Sequence, residues 1–317
     1  MNPLARRKFL TTTAQFAAVT AFTGCAHSSL NLTSSKNFTI IDTHTHFYDP
    51  ARPQGVPWPA RDDKFLYRTV LPKDYRALRV PHPVAGTVVV EASPWIDDNQ
   101  WILDLAANDP FIVGFVGNLP IATNEFAVHL KRFAANKIFR GIRIGARKDD
   151  LANNSPLLRD LKLLADRDLS LDLLGGQEIL GFAVRISERI PNLRIIIDHL
   201  AGVRIDGKTP PADWTAAMSA VAKKPNITCK LSGLVENTGH QIGSIPQNVE
   251  YYTPILDTMT QLFPATRLIY ASNWPVSERF APLATVQSLI ETYFTAQAPK
   301  SLADIFSKSA GTAYKYA

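Results

Sequence analysis

From residue 38 onward, short runs of apolar, mostly β-branched residues alternate with longer stretches whose apolar positions recur at helical spacing. The short runs fall at 38–43, 86–92, 111–117, 140–145, 169–174, 193–198, 226–231 and 267–271. Each has the length and the near-continuous apolar character of a buried parallel strand. Amphipathic helices are predicted between them at 98–107, 125–135, 157–167, 178–189, 214–223, 251–263 and 282–296. Asp98, Asn124 and Ser155 stand where N-caps are wanted. Pro or Asn ends several helices just before the next strand, as in Asp109-Pro110, Pro191-Asn192 and Pro225-Asn226. Eight β/α repeats predict one parallel (β/α)₈ TIM barrel. The competing fold, an open doubly wound sheet, normally carries a glycine-rich phosphate loop after its first strand, and here that place holds Thr43-His44-Thr45-His46. Residues 49–83, rich in Pro and aromatics, are predicted as a long loop over the barrel mouth with one short helix near 73–78.

Composition adds little to the fold and more to the address. With 317 residues, 46% hydrophobic and 20% charged, the chain can fill one large core. Its net charge of +6 is partly N-terminal: residues 1–24 hold three of the 34 basic residues and none of the 28 acidic ones, so the remainder carries +3. Neither that balance nor any Lys/Arg run suggests nucleic acid as a partner. Arg6-Arg7-Lys8-Phe9-Leu10, followed by the weakly apolar stretch 11–23, reads as a twin-arginine export signal over residues 1–24. Phe22-Thr23-Gly24-Cys25 is lipobox-like, so Cys25 is either a lipidated membrane anchor or part of a signal cleaved a few residues later. Both outcomes place the domain, residues 37–317, in the periplasm, joined to the N-terminus by the polar tether 25–36. The second cysteine, Cys229, lies in an apolar strand, so no disulfide framework is expected.

In a parallel barrel the reaction centre sits at the C-terminal strand ends. Those ends supply His44 and His46, Glu91, Asn118, Arg143, Asp172, Asp198 with His199, Lys230 with Ser232, and Ser272 with Asn273. Strand alternation turns His44 and His46 the same way, into the mouth. It lets only one of Asp198 and His199 face the centre; shared parity with Ile195 and Ile197 favours His199 and turns Asp198 toward the helices. A His-x-His at a first strand end, with a third His across the barrel, can present imidazoles to one metal ion or one carbonyl.

Ile41-Asp42-Thr43-His44-Thr45-His46, Gly141-Ile142-Arg143, Ile197-Asp198-His199, Cys229-Lys230-Leu231-Ser232-Gly233 and Ala271-Ser272-Asn273-Trp274-Pro275-Val276 resemble, in order, the motifs of the amidohydrolase superfamily. More narrowly they resemble its lactonase-like branch, which takes in 2-pyrone-4,6-dicarboxylate lactonase and the sugar-acid lactonases. The resemblance implies hydrolysis of a C–O ester bond in a small cyclic ester. An amidase or decarboxylase on the same barrel, and a non-catalytic periplasmic binding protein, are the rival readings. Two departures bear on mechanism. Strand four offers Arg143 in place of the carboxylated Lys of dinuclear members, and strand five has no His. After strand eight Asn273 replaces the Asp that usually takes the proton of the attacking water, and a neutral amide cannot act as a base.

The expected roles follow. His44 and His46 polarise the carbonyl, and Asn273 holds a water that His199 deprotonates, with His44 and then Glu91 as the alternative bases. Arg143 and Lys230 hold the small-molecule substrate, unless Arg143 is tied into an ion pair with Asp172 or Glu91. Glu91, His240 and Tyr48 are further candidates for substrate contact. Three neutral imidazoles and an amide offset no positive charge, so no metal is expected to be required. If one divalent ion binds, Zn²⁺ is the choice its ligand preferences favour, and His44, His46 and His199 are the expected ligands.

Overall fold

The computed structural model describes residues 38–145 and 151–316. The export signal, Cys25 and the tether fall outside them.

Eight strands, β1 (Ile41–Thr45), β2 (Gly86–Val90), β3 (Ile112–Gly117), β4 (Phe139–Gly145), β5 (Ser170–Leu174), β6 (Arg194–Ile197), β7 (Ile227–Leu231) and β8 (Leu268–Tyr270), pair in sequence order. Every adjacent pair is parallel. The ring closes beyond the end of β8, where the Asn273 N–H donates to the His44 carbonyl and the His46 N–H donates to the Trp274 carbonyl, both at 2.9 Å. Closure therefore ties the His-x-His segment directly to the segment carrying Asn273.

The helices are α1 (Pro72–Arg76), α2 (Ile96–Ala107), α3 (Phe126–Ala134), α4 (Pro156–Asp166), α5 (Glu178–Arg189), α6 (Ala212–Ala222), α7 (Val249–Leu262), α8 (Leu283–Gln297) and α9 (Ser309–Tyr314). The predicted (β/α)₈ barrel is the observed fold. Ser155 caps α4 as expected, its hydroxyl accepting the Leu158 N–H at 3.1 Å. Asp98 and Asn124 do not cap: α2 starts earlier, after Trp95, and α3 starts after Glu125. The long loop after β1 is pinned by Arg52, whose guanidinium pairs with Asp98 at 2.9 Å and lies 4.7 Å over the Trp101 ring.

Two apolar layers share the strands. Val89, Leu171, Ile195, Ile197 and Leu231 belong to the large cluster packed with the helices. Val88, Val90, Val116, Ile196 and Ile269 form the small inner cluster, which α9 completes with Ala310, Ala313 and Tyr314. No pattern in the sequence announces α9. It packs against β6 and β8, and Arg194 at the start of β6 donates to the Ala313 carbonyl at 2.8 Å.

β4 and β5 approach closely at Gly141, where a Cβ would meet Ser170 Oγ at 2.2 Å and the Ser170 carbonyl oxygen at 2.5 Å. Because one of those atoms is backbone, relief requires separating two strands. Gly141→Ala is expected to cost about 3 kcal/mol, read as a lowered urea midpoint at unchanged m-value.

Candidate active site

At the C-terminal strand ends a cavity of about 330 Å³ is lined by His46, Trp58, Glu91, Arg143, His199 and Asn273, among others. Its volume lies at the small end of the ~300–1,000 Å³ range of small-molecule sites. The three histidines adjoin one another: the His44 ring is 4.9 Å from His46 and 4.4 Å from His199, centroid to centroid.

Each ring is held differently. His46 Nδ1 lies 2.9 Å from the Val90 carbonyl, which can only accept, so Nδ1 carries the proton and Nε2 is left as the lone-pair nitrogen. His199 Nδ1 bonds the Ser232 hydroxyl at 2.8 Å. His199, Leu200 and Ala201 all have positive φ, near 50°, an unfavourable conformation for side-chain-bearing residues. That sharp turn after β6 lets successive residues, Asp198 and His199, both reach the centre. Alternation alone had turned Asp198 toward the helices. The structure corrects this: Ile196 is the inward residue of β6 and Asp198 shares its direction.

Asp198 belongs to a buried ionic cluster beneath the cavity. Lys230 Nζ lies 2.6 Å from Asp172 Oδ2, 2.8 Å from Asp198 Oδ1 and 3.2 Å from His44 Nδ1. Tyr314, rising from α9, donates to Asp172 at 2.7 Å. Lys230 is fully buried, its ammonium hydrogen-bonded to Asp172 and His44 and ion-paired with Asp198. The expectation that it holds substrate is therefore corrected: it braces the floor. Burial works against the Asp198 carboxylate, yet Lys230 and His44 overcome it and hold its pKa well below the usual range. Burial wins at Asp172, which is raised to about 6 in spite of Lys230.

Arg143 does form the bracing ion pair. Its Nε donates to Glu91 Oε1 and its Nη2 to the Glu91 carbonyl, both at 2.8 Å. Nη1 is 4.0 Å from Asp198, and the side chain still faces the cavity. Glu91 also accepts the Ser93 N–H at 3.1 Å, so its carboxylate is engaged on both oxygens. Tyr48 is buried, donates to the Leu66 carbonyl at 2.8 Å and lines a small side recess. His240 is exposed and bonds Tyr251 at 3.0 Å. Neither Tyr48 nor His240 lines the cavity. Two acids escaped the sequence reading. Asp42 accepts the backbone N–H groups of His44 and Ser272 and the Tyr75 hydroxyl, fixing the β1–β8 junction. Glu236, in the turn after β7, accepts from the Asn273 amide at 2.8 Å; no motif spacing marks it.

The candidate metal ligands also change. His44, Asp198 and His199 place one ligand atom each within 4.8 Å of one another, whereas His46 is outside that set. Asp198 supplies the negative charge that three imidazoles lacked. His44 Nε2 and both Asp198 oxygens are buried without a hydrogen-bond partner among the described residues. Because His44 Nδ1 accepts from the Lys230 ammonium, Nε2 carries the ring proton, so this donor set fits a divalent cation only once Lys230 releases His44. The Lys230 ammonium beside it opposes one.

Burial lowers the pKa of all three imidazoles: well below normal at His44, where Lys230 adds to the effect, to about 3 at His46 and to about 4 at His199. All three are neutral at pH 7, and the His46 and His199 Cε1–H resonances should not titrate between pH 8 and about 5.5, measured against an unfolded-chain pKa of ~6.5. As pH falls, the unfolded chain binds these protons first. The histidine contribution to folding stability should therefore be full above about pH 7 and decline toward pH 4 in urea titrations. It is offset in part by the buried carboxyl of Asp172, raised to about 6, whose uptake of a proton favours the folded chain. Lys230→Met leaves two buried carboxylates without their cation and is expected to cost about 3–5 kcal/mol.

The chain resembles known proteins in sequence and in fold. The chain is 33% identical over 240 residues to an L-fucono-1,5-lactonase of Burkholderia ambifaria, an alignment covering 75% of this chain and 80% of the relative. A zinc-bound amidohydrolase from Burkholderia multivorans superposes with a TM-score of 0.74 at 22% identity, over 88% of this chain and 100% of that one. A probable 2-pyrone-4,6-dicarboxylic acid hydrolase from Acinetobacter baumannii, with citric acid bound, gives 0.68 at 17% identity and the same coverage. The sequence model of the amidohydrolase family matches residues 41–315, spanning every strand of the barrel, and the chain belongs to that family.

Proposed function

We propose that this protein hydrolyses the ring ester bond of a small sugar-acid lactone. The observation that carries the proposal is the cavity itself: neutral imidazoles, one guanidinium and one amide converge on a space the size of a monosaccharide derivative. The L-fucono-1,5-lactonase relative supports the same substrate class.

Attack of water on a lactone carbonyl builds negative charge on the carbonyl oxygen, and hydrogen-bond donors already in place stabilise it best. Arg143 is the cationic donor at the wall, held rigid by Glu91. Asn273 orients the water, and His199 is the imidazole placed to take its proton. With its pKa lowered to about 4, His199 is a weak base, so the scheme leans on positioning and charge stabilisation. His46 Nε2 accepts a hydrogen bond from a substrate hydroxyl. A divalent cation held by His44, Asp198 and His199 would, when bound, polarise the carbonyl or acidify a water. Lys230 already neutralises much of Asp198 and donates to His44, which supports turnover without an obligatory metal. Export to the periplasm belongs to the same proposal and is supported by Arg6-Arg7 and the apolar stretch after it.

The test is a pH-indicator assay on L-fucono-1,5-lactone, related aldonolactones and dicarboxylate lactones, with metal-stripped and Zn²⁺-supplied protein side by side. Turnover of an aldonolactone that survives stripping is expected. Turnover only with Zn²⁺ assigns His44, Asp198 and His199 as ligands instead, and inertness of every lactone removes the proposal. His199→Asn should lower kcat more than tenfold, and Arg143→Met should lower kcat/KM by about a hundredfold, in line with loss of one oxyanion donor.

A further inference from the structure

Glu236 touches the reaction centre through one residue. It is absent from the cavity lining, yet its Oε1 takes the Nδ2–H of Asn273, which does line the cavity. The Asn273 backbone is fixed. Its N–H is committed to the His44 carbonyl, its carbonyl accepts the Ser277 N–H at 3.0 Å, and its φ is 61°. Only the amide group is left to turn; His46 meets it on the cavity side, and on the far side a carboxylate, which accepts and never donates, takes its N–H.

We infer that Glu236 is the positioning residue of this site, holding the Asn273 amide with Nδ2 toward itself and the Oδ1 oxygen away from it, as the acceptor for the attacking water. The inference deepens the lactonase reading and rests on it for the identity of that water. Ionised Glu236 enforces this orientation. Protonated Glu236 offers an O–H as well, can donate to Oδ1, and releases the bias.

The surroundings make the switch accessible. Burial pushes the Glu236 carboxyl up to about 7, with the Asn273 bond and two backbone N–H groups opposing. From α7 the ionisable group that faces it is Tyr252, which stays neutral and donates to the Pro246 carbonyl at 2.7 Å. From the segment after β8 it meets the uncharged Asn273. Among the described residues no cationic side chain contributes to holding it ionised. The amide is therefore correctly turned above neutrality and loses its bias as pH falls.

The test reads the amide directly. Protein labelled with ¹⁵N at asparagine side chains is titrated from pH 5.5 to 8.5, and the Asn273 signal is identified by its loss in Asn273→Ser. A single transition near neutrality that disappears in Glu236→Gln is expected. A signal that stays flat in the wild type, or that titrates equally in Glu236→Gln, overturns the inference, and neither result depends on turnover. Glu236→Asp, which keeps the charge and loses the reach, should shrink the transition and serves if the Gln variant does not fold. On an aldonolactone, Glu236→Gln should lower kcat about tenfold, leave KM within twofold and remove the near-neutral limb of the kcat–pH profile. A KM effect with an unaltered profile counts against it.

Discussion

The Lys230 ammonium, enclosed inside a barrel, sets the terms for everything above it. Removing a charge of that size from water costs several kcal/mol even after relaxation, and only close, well-placed partners return it. Here they come from separate strands: Asp172 from β5, Asp198 from the end of β6 and His44 from β1. Tyr314 reaches the same Asp172 from α9. One side chain thus links four strands and the C-terminal helix, and it occupies one ring nitrogen of the histidine nearest the floor. Whatever the cavity does chemically, it does above a floor whose charges are already balanced.

That balance explains the character of the site. Buried imidazoles beside an ammonium and a guanidinium do not hold protons near neutral pH, so the histidines act as neutral donors and acceptors. Among the described residues, Glu236 is a carboxyl at the cavity edge that burial raises to about 7, with no cation opposing the rise. Negative charge is thereby divided by depth: Asp198 is locked low by Lys230, Glu91 is spent on Arg143, and Glu236 stands behind an amide. A centre arranged in this way controls the orientation of water and carbonyl more than it supplies a strong base. Lactone rings, whose carbonyls are already reactive, suit such a centre.

The same distribution limits a metal. His44, Asp198 and His199 have the donor atoms and the spacing for a divalent cation, but they share their floor with Lys230. An ammonium 2.8 Å from the only carboxylate of the set competes for the charge a dication needs.

Eight apolar runs separated by helical periods, with Thr43-His44-Thr45-His46 where a doubly wound sheet carries its phosphate loop, pointed to a parallel barrel, and strand ends are where such a barrel leaves polar groups exposed to one mouth. The sequence alone therefore determined the fold, the family and the gathering of His44, His46, Arg143, His199 and Asn273. Which way Asp198 points was decided by packing, because β6 is apolar on both faces and Ile195, Ile196 and Ile197 give alternation nothing to grip. The left-handed turn at His199 then broke alternation where it mattered. Lys230 became floor rather than wall because α9, invisible as a pattern, fills the barrel from below and sends Tyr314 to its partner. Glu236 acquired its place only when the turn after β7 met the segment after β8, a contact between residues 37 apart. Local sequence fixes periodicity and which groups sit at strand ends; three-dimensional closure decides which charges meet, and charge placement is what this site runs on.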